Sequence, residues 1–164
     1  MKLLAVDAGL HCGYAMFDLS SAELLWYRSH NYGMQARLRR GAATLIDQEL
    51  PITAIVIEGG GAVAEPWIKT AQYHRIPVFQ IHAAQWRTDL LHAREQRSGA
   101  QAKKAAQHYA QARMAHAKTG YHYNQVRHDA AEAILIGEWA LQYHEDRKST
   151  RLNSSHANIS YAVF

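Results

Sequence analysis

The chain holds a single cysteine, Cys12, so no internal disulfide can staple it, and it reads as a protein of a reducing compartment. No stretch approaches the roughly 18 apolar residues that a bilayer-spanning helix needs. The opening "MKLL" is too short for a secretory leader and is soon followed by Asp7. A cytoplasmic protein with no membrane partner is the expectation. Zinc spacing is missing as well: eleven histidines occur without paired ligands, and His11 with Cys12 lacks a second pair. The triple glycine at 59–61 has neither the lysine nor the Ser/Thr of a P-loop, which argues against nucleoside triphosphate binding. Its simpler role is to let another backbone come close.

Strong charge of one sign is also lacking. The formal net charge of +4 favours polyanions only mildly. Part of it comes from residues 146–164, "DRKSTRLNSSHANISYAVF", which resemble the translation of a sequencing adapter and read as a non-native tail. Setting aside Arg147, Lys148 and Arg151 with Asp146 lowers the basic count from 18 to 15 and the acidic count from 14 to 13. Basic character therefore has to be judged locally.

What remains, residues 1–145, is one domain's worth of chain, in a sequence whose apolar fraction of 48% suits a packed core. "KLLAVD" and "AIVIE" are short apolar runs of the kind buried on both faces of a sheet. "GYAMFDL" and "ELLWYRS", separated by Ser20 and Ser21, predict an antiparallel hairpin, and "PVFQI" a fifth strand. Helical spacing runs from Met34 to Leu50, where Pro51 ends it. "EPWIKTAQYHR" predicts a helix with Pro66 in its first turn. "AAQWRTDLL" and "AQAKKAAQHYAQARMA" predict two more helices, joined by a polar connection containing Gly99, and a last helix spans about 127 to 143. A hairpin followed by alternating helices and strands defines an α/β domain with a mixed five-stranded sheet flanked by helices.

Three of these core elements deliver carboxylates at one end. Asp7 closes the first strand, Glu58 closes the fourth, and Asp129 with Glu132 opens the last helix. Positions three apart lie on one helical face, so both helix acids can turn toward the same sheet edge. Four carboxylates in a partly desolvated place repel one another until protons or cations intervene. Magnesium, a hard ion with oxygen ligands, suits such a set, and a pair of these ions can drive phosphodiester hydrolysis. Each acid also has an ordinary explanation. Asp7 could cap a turn, Glu58 could start a loop, and Asp129 could answer the helix dipole. Only all three explanations acting together would dissolve the cluster.

"LAVDAGLHCGYAMFD", "AIVIEGGG" and "HDAAEAILIGEW" resemble, in order and spacing, the acidic segments of RuvC-type Holliday junction resolvases. The likeness is nearest to the short, phage-like members of that group within the ribonuclease H-like superfamily. It implies a ribonuclease H-like fold and metal-dependent cleavage of branched DNA by a homodimer. Asp7, Glu58, Asp129 and Glu132 then become the catalytic and metal-ligating residues. The cofactor implied is magnesium; the four carboxylates suit two such ions, with Asp7 as the expected bridge and manganese as a substitute. The chain departs from the family at Ala8, where proline is usual, and at Glu132, where aspartate is usual.

Between Arg94 and Lys118 six basic residues face one acid, Glu95, a local excess suited to a phosphate backbone. The resemblance puts a DNA-contacting lysine here: Lys103 first, then Lys104, with Arg97 as a further contact. The alternative is a solvated helix face. His128 lies on the arc of Glu132 and is either an accessory residue of the site or a solvated histidine at a helix start. Trp67, Tyr73 and Trp86 could stack on unpaired bases but fit core positions better. The rival functions are a nuclease of the same fold acting on flaps, hybrids or single strands, and a non-catalytic nucleic-acid-binding module. A sugar-kinase-like ATPase shares the opening strand and glycines but needs two such domains.

Overall fold

The structure, a computed structural model, describes residues 1–115 and 126–153. Its order is β1 (Lys2–Asp7), β2 (His11–Asp18), β3 (Glu23–Asn31), α1 (Gln35–Glu49), β4 (Ala54–Glu58), α2 (Gly61–Tyr73), β5 (Val78–Ile81), α3 (Ala83–Leu90), a 3₁₀ turn (Ala93–Gln96), α4 (Gly99–Ala115) and α5 (His128–Asn153). The strands form one sheet in the order β3-β2-β1-β4-β5. β1, β2 and β3 pair antiparallel, whereas β4 runs parallel to both β1 and β5. This is the mixed five-stranded sheet that the sequence predicts.

Strand alternation sorts the apolar residues onto two faces. Leu3, Ala5, Ala15, Phe17 and Val56 face one way and meet the alanines of α4 and α5. Leu4, Val6, Met16, Ile55 and Ile57 face the other way and pack with Leu38 and Ile46 of α1 and Trp67 of α2. The same alternation decides where the strand-end acids go. Asp7 continues the parity of Leu3 and Ala5, and Glu58 that of Ala54 and Val56, so both belong to the α4–α5 face. Small residues let α5 lie close on this face: Ala130, Ala131 and Ala133 are buried, and the Phe17 ring fills the space where a Cβ on Gly137 would stand.

Several element boundaries differ from the sequence expectation. α2 begins at Gly61, which makes Pro66 an interior residue and not a first-turn one. Proline at 66 removes the N–H that would bond the Ala62 carbonyl. The Gln35 side-chain amide, at the start of α1, donates to that carbonyl instead. Gly99 is the first residue of α4 and lies outside the linker, which itself contains the 3₁₀ turn. α5 runs on to Asn153, past the predicted end near 143, because no glycine or proline interrupts the chain there. Trp67 and Trp86 are fully buried core residues, whereas Tyr73 is exposed. Lys118 lies outside the described residues.

Candidate functional site

Asp7 and Glu58 are direct neighbours across the parallel β1–β4 ladder, which continues past them as Ala8 N–H donates to the Glu58 carbonyl at 2.9 Å. On the other side of β1, Asp7 pairs with Gly13 of β2. The backbone of Asp129 lies directly over that glycine: a Cβ on Gly13 would stand 1.9 Å from the Asp129 carbonyl oxygen. Glycine at 13 therefore admits the first turn of α5 to the sheet, and the helix acids with it. Gly59, just after Glu58, has φ +116°, the conformation that favours glycine, and its absent Cβ would sit 3.0 Å from the Ala8 carbonyl oxygen.

Three of the four acids are each held by a partner of their own. The Trp86 indole N–H donates to Glu58 Oε2 at 2.5 Å. The next residue, Arg87, reaches Glu132 through Nη2 to Oε1 at 2.6 Å, and the Glu132 side chain is only 9% exposed. The Ser29 hydroxyl of β3 donates to Asp129 Oδ2 at 2.5 Å. Asp7 has the least help. Burial, followed by repulsion from Glu132, Glu58 and Asp129, raises its pKa to about 8, and Arg87 offsets this only in part. Burial also raises Glu58, against the opposing pull of the Trp86 hydrogen bond. Among the described residues no three His, Cys, Asp or Glu side chains close into a ready-made cation cage.

Asp7, Asp129 and Glu132 line a cleft of about 500 Å³ together with His11, Lys103 and His128, whereas Glu58 is not among its lining residues. Lys103 is thus beside the acids, on the opposite wall supplied by α4. Lys104 and Arg97 are exposed but not among the lining residues. His128 is exposed at the mouth. Arg113, counted in the basic run, is engaged elsewhere: it bonds Glu138 of α5 and the Ala22 carbonyl in the β2–β3 turn, and so secures α4.

Sequence reasoning gave Trp86 a core position without its bond to Glu58, and it missed Arg87, Ser29 and the cleft position of His11. A faint signal existed for Arg87, a cation in a helix that otherwise reads as amphipathic surface. Nothing local marks Ser29 as a partner of a residue 100 positions away.

Comparison with solved structures finds this fold in T. thermophilus RuvC in complex with Holliday junction substrate. The match covers 88% of this chain and 96% of that one, with a TM-score of 0.62 at 13% identity. A weaker likeness is to the catalytic core domain of BIV integrase, over 96% of this chain and 86% of that one, with a TM-score of 0.35 at 11% identity. No protein-family model and no curated protein matches the sequence. The chain has the ribonuclease H-like α/β fold, a mixed five-stranded sheet flanked by helices. The likeness to this solved structure is one of architecture, at 13% sequence identity. No helix among the described residues is long and apolar enough to cross a membrane.

Proposed function

We propose that this protein is a divalent-cation-dependent, structure-selective DNA endonuclease that acts on four-way junctions as a homodimer. The observation that carries the reading is the meeting of Asp7, Glu58, Asp129 and Glu132, from two parallel strand ends and one helix head, beside a cleft that Lys103 also lines. Support for the substrate comes from the shared fold of a RuvC solved with Holliday junction substrate.

The donor set fits magnesium. All four groups are carboxylates, hard oxygen ligands, and burial, followed by their mutual repulsion, favours a proton on Asp7 unless another positive charge takes its place. Asp7 and Glu58 would hold the ion from the sheet side, Asp129 and Glu132 from the helix side, with manganese as a substitute. A bound magnesium pair supplies positive charge that acidifies the attacking water and offsets the charge growing on the departing 3′ oxygen. The protein's own residues do the rest. Gly59 lets the chain turn directly after Glu58 while packed against Ala8, which fixes the two strand ends beside each other. Lys103 meets the phosphate from the α4 wall, and His11 and His128 border the same opening. A phosphodiester carries its charge on the non-bridging oxygens, and a lysine ammonium beside them fixes the strand without reading its sequence.

The direct test is cleavage of end-labelled four-way junction, flap, RNA–DNA hybrid and single-stranded substrates with magnesium. Symmetric nicking of the junction is the expected result. Preference for flaps or hybrids would transfer the reading to another nuclease of this fold, and saturable binding with no cleavage of any substrate would make the chain a binding module.

Lys103→Ala should weaken junction binding and lower the slope of log affinity against log salt by about one, as expected when one phosphate contact is lost. Lys104→Ala should have a smaller effect, because Lys104 lies outside the cleft lining. Fluorescence anisotropy over a salt series measures both. Equal effects would place the DNA along the outer face of α4.

A further inference from the structure

The acidic cluster beside the cleft already has a cation of the protein's own bonded to it. α3 presents two consecutive residues to it: Trp86, whose indole holds Glu58, and Arg87, whose guanidinium holds Glu132. The Arg87 guanidinium lies over the Trp86 ring, 5.0 Å from its centroid, so the two side chains brace each other. Its charge also reaches beyond its hydrogen-bonded partner, favouring the ionised forms of both Asp7 and Glu58. Yet the fit is incomplete. Arg87 Nε is buried with no hydrogen-bond partner. Only one of the side chain's N–H groups is bonded to Glu132, where a guanidinium–carboxylate fork would use two. An arginine locked in a permanent structural bridge would satisfy that donor.

We infer that Arg87 is a tethered counter-ion that occupies Glu132 until a divalent cation arrives, and that cation binding displaces it. This inference rests on the cleft being a cation site. Before loading, Arg87 holds the Glu132 carboxylate in the cleft and limits the repulsion among the acids. During loading the incoming ion and the guanidinium compete as positive charges for the Glu132 carboxylate, whose Oε1 lies 2.6 Å from Arg87 Nη2. Arg87 is therefore a positioning residue that sets the threshold of cation binding.

Calorimetric titration of the full chain with manganese, without DNA, separates this role from a purely structural one. Arg87→Met should bind manganese about tenfold more tightly than the native protein, because a competing charge within a few ångströms has gone. Arg87→Lys, which keeps the charge, should stay near the native affinity. Thermal unfolding supplies a second readout. The metal-free Arg87→Met protein should melt lower than the native one, and saturating manganese should close most of that gap. If Arg87→Met fails to fold, Arg87→Gln carries the same test, since it is neutral and retains an N–H donor for Glu132. Native binding with equal or weaker affinity in the neutral variant would overturn the inference and leave the cation site standing. Absence of saturable manganese binding in the native protein and in every variant would overturn both.

Discussion

Asp7→Asn should abolish junction cleavage while leaving junction binding within about twofold of the native protein. Asp7 is the carboxylate on which burial and the other three acids converge, and asparagine cannot supply the negative charge a hard cation requires. Loss of cleavage of at least about a hundredfold is the expected magnitude for removing a group that acts in the transition state. Gel assays of cleavage and anisotropy of binding, made on the same preparation, measure the two effects separately. Full cleavage by the variant would remove Asp7 from the reaction.

The same substitution should stabilise the metal-free protein, in a pH-dependent way. The folded state accommodates the protonated Asp7 carboxyl, with its pKa raised from 3.8 to about 8. Between those values the unfolded chain releases a proton that the folded chain keeps, so native stability falls as pH rises through this window and levels off above it. Glu58, also raised, acts in the same direction. Asparagine is neutral throughout and escapes the Asp7 part of this loss. The melting temperatures of variant and native protein should nearly coincide at pH 4 and separate progressively up to pH 8, where the stabilities differ by on the order of a few kcal/mol. Magnesium should narrow the separation at pH 8 by stabilising the native protein alone. A separation that did not depend on pH would mean that Asp7 carries no such burden.

Gly13→Ala should damage both fold and site. The added carbon would stand 1.9 Å from the Asp129 carbonyl oxygen and 2.1 Å from its carbonyl carbon, both backbone atoms, so no rotamer change can relieve the clash. α5 must retreat from β2. Overpacking of this kind costs about 1–3 kcal/mol, and a rigid backbone neighbour puts the cost toward the upper end. Melting should fall by roughly 5–10 °C. Retreat of α5 also carries Asp129 and Glu132 away from Asp7, and a displacement of about 1 Å is enough to cost on the order of a hundredfold in rate. Calorimetric melting and the junction cleavage assay measure these losses. Native behaviour in both would show that the helix head can shift without consequence.

Much of the architecture was legible because two-sided burial leaves a plain mark. Continuous apolar runs at Leu3–Val6 and Ala54–Ile57 declare central strands that end in Asp7 and Glu58, while the pairing that puts both acids on one face is a matter of register. The spacing of Asp129 and Glu132 was equally plain, since both fall on one helical arc. Contacts that span the chain were not legible. Trp86 meets Glu58 across 28 residues and Arg87 meets Glu132 across 45, and a local pattern records neither. The start of α2 was misplaced for a related reason. Proline at 66 suggests a helix beginning nearby, but the Gln35 side chain from another helix supplies the bond that proline removes. Local rules give way where a distant residue compensates for them.

The cleft is built from the first strand and the last helix, with β4 between them in sequence and a tether from β3. During synthesis the acids of β1 and β4 emerge from the ribosome well before the helix that completes their surroundings. A nascent chain halted before residue 128 therefore has half a site and none of the packing that α5 brings to β1, β2 and β3. Any hydrolytic capacity would need α5 docked on the sheet, so a polypeptide still lacking that helix would not nick nucleic acid.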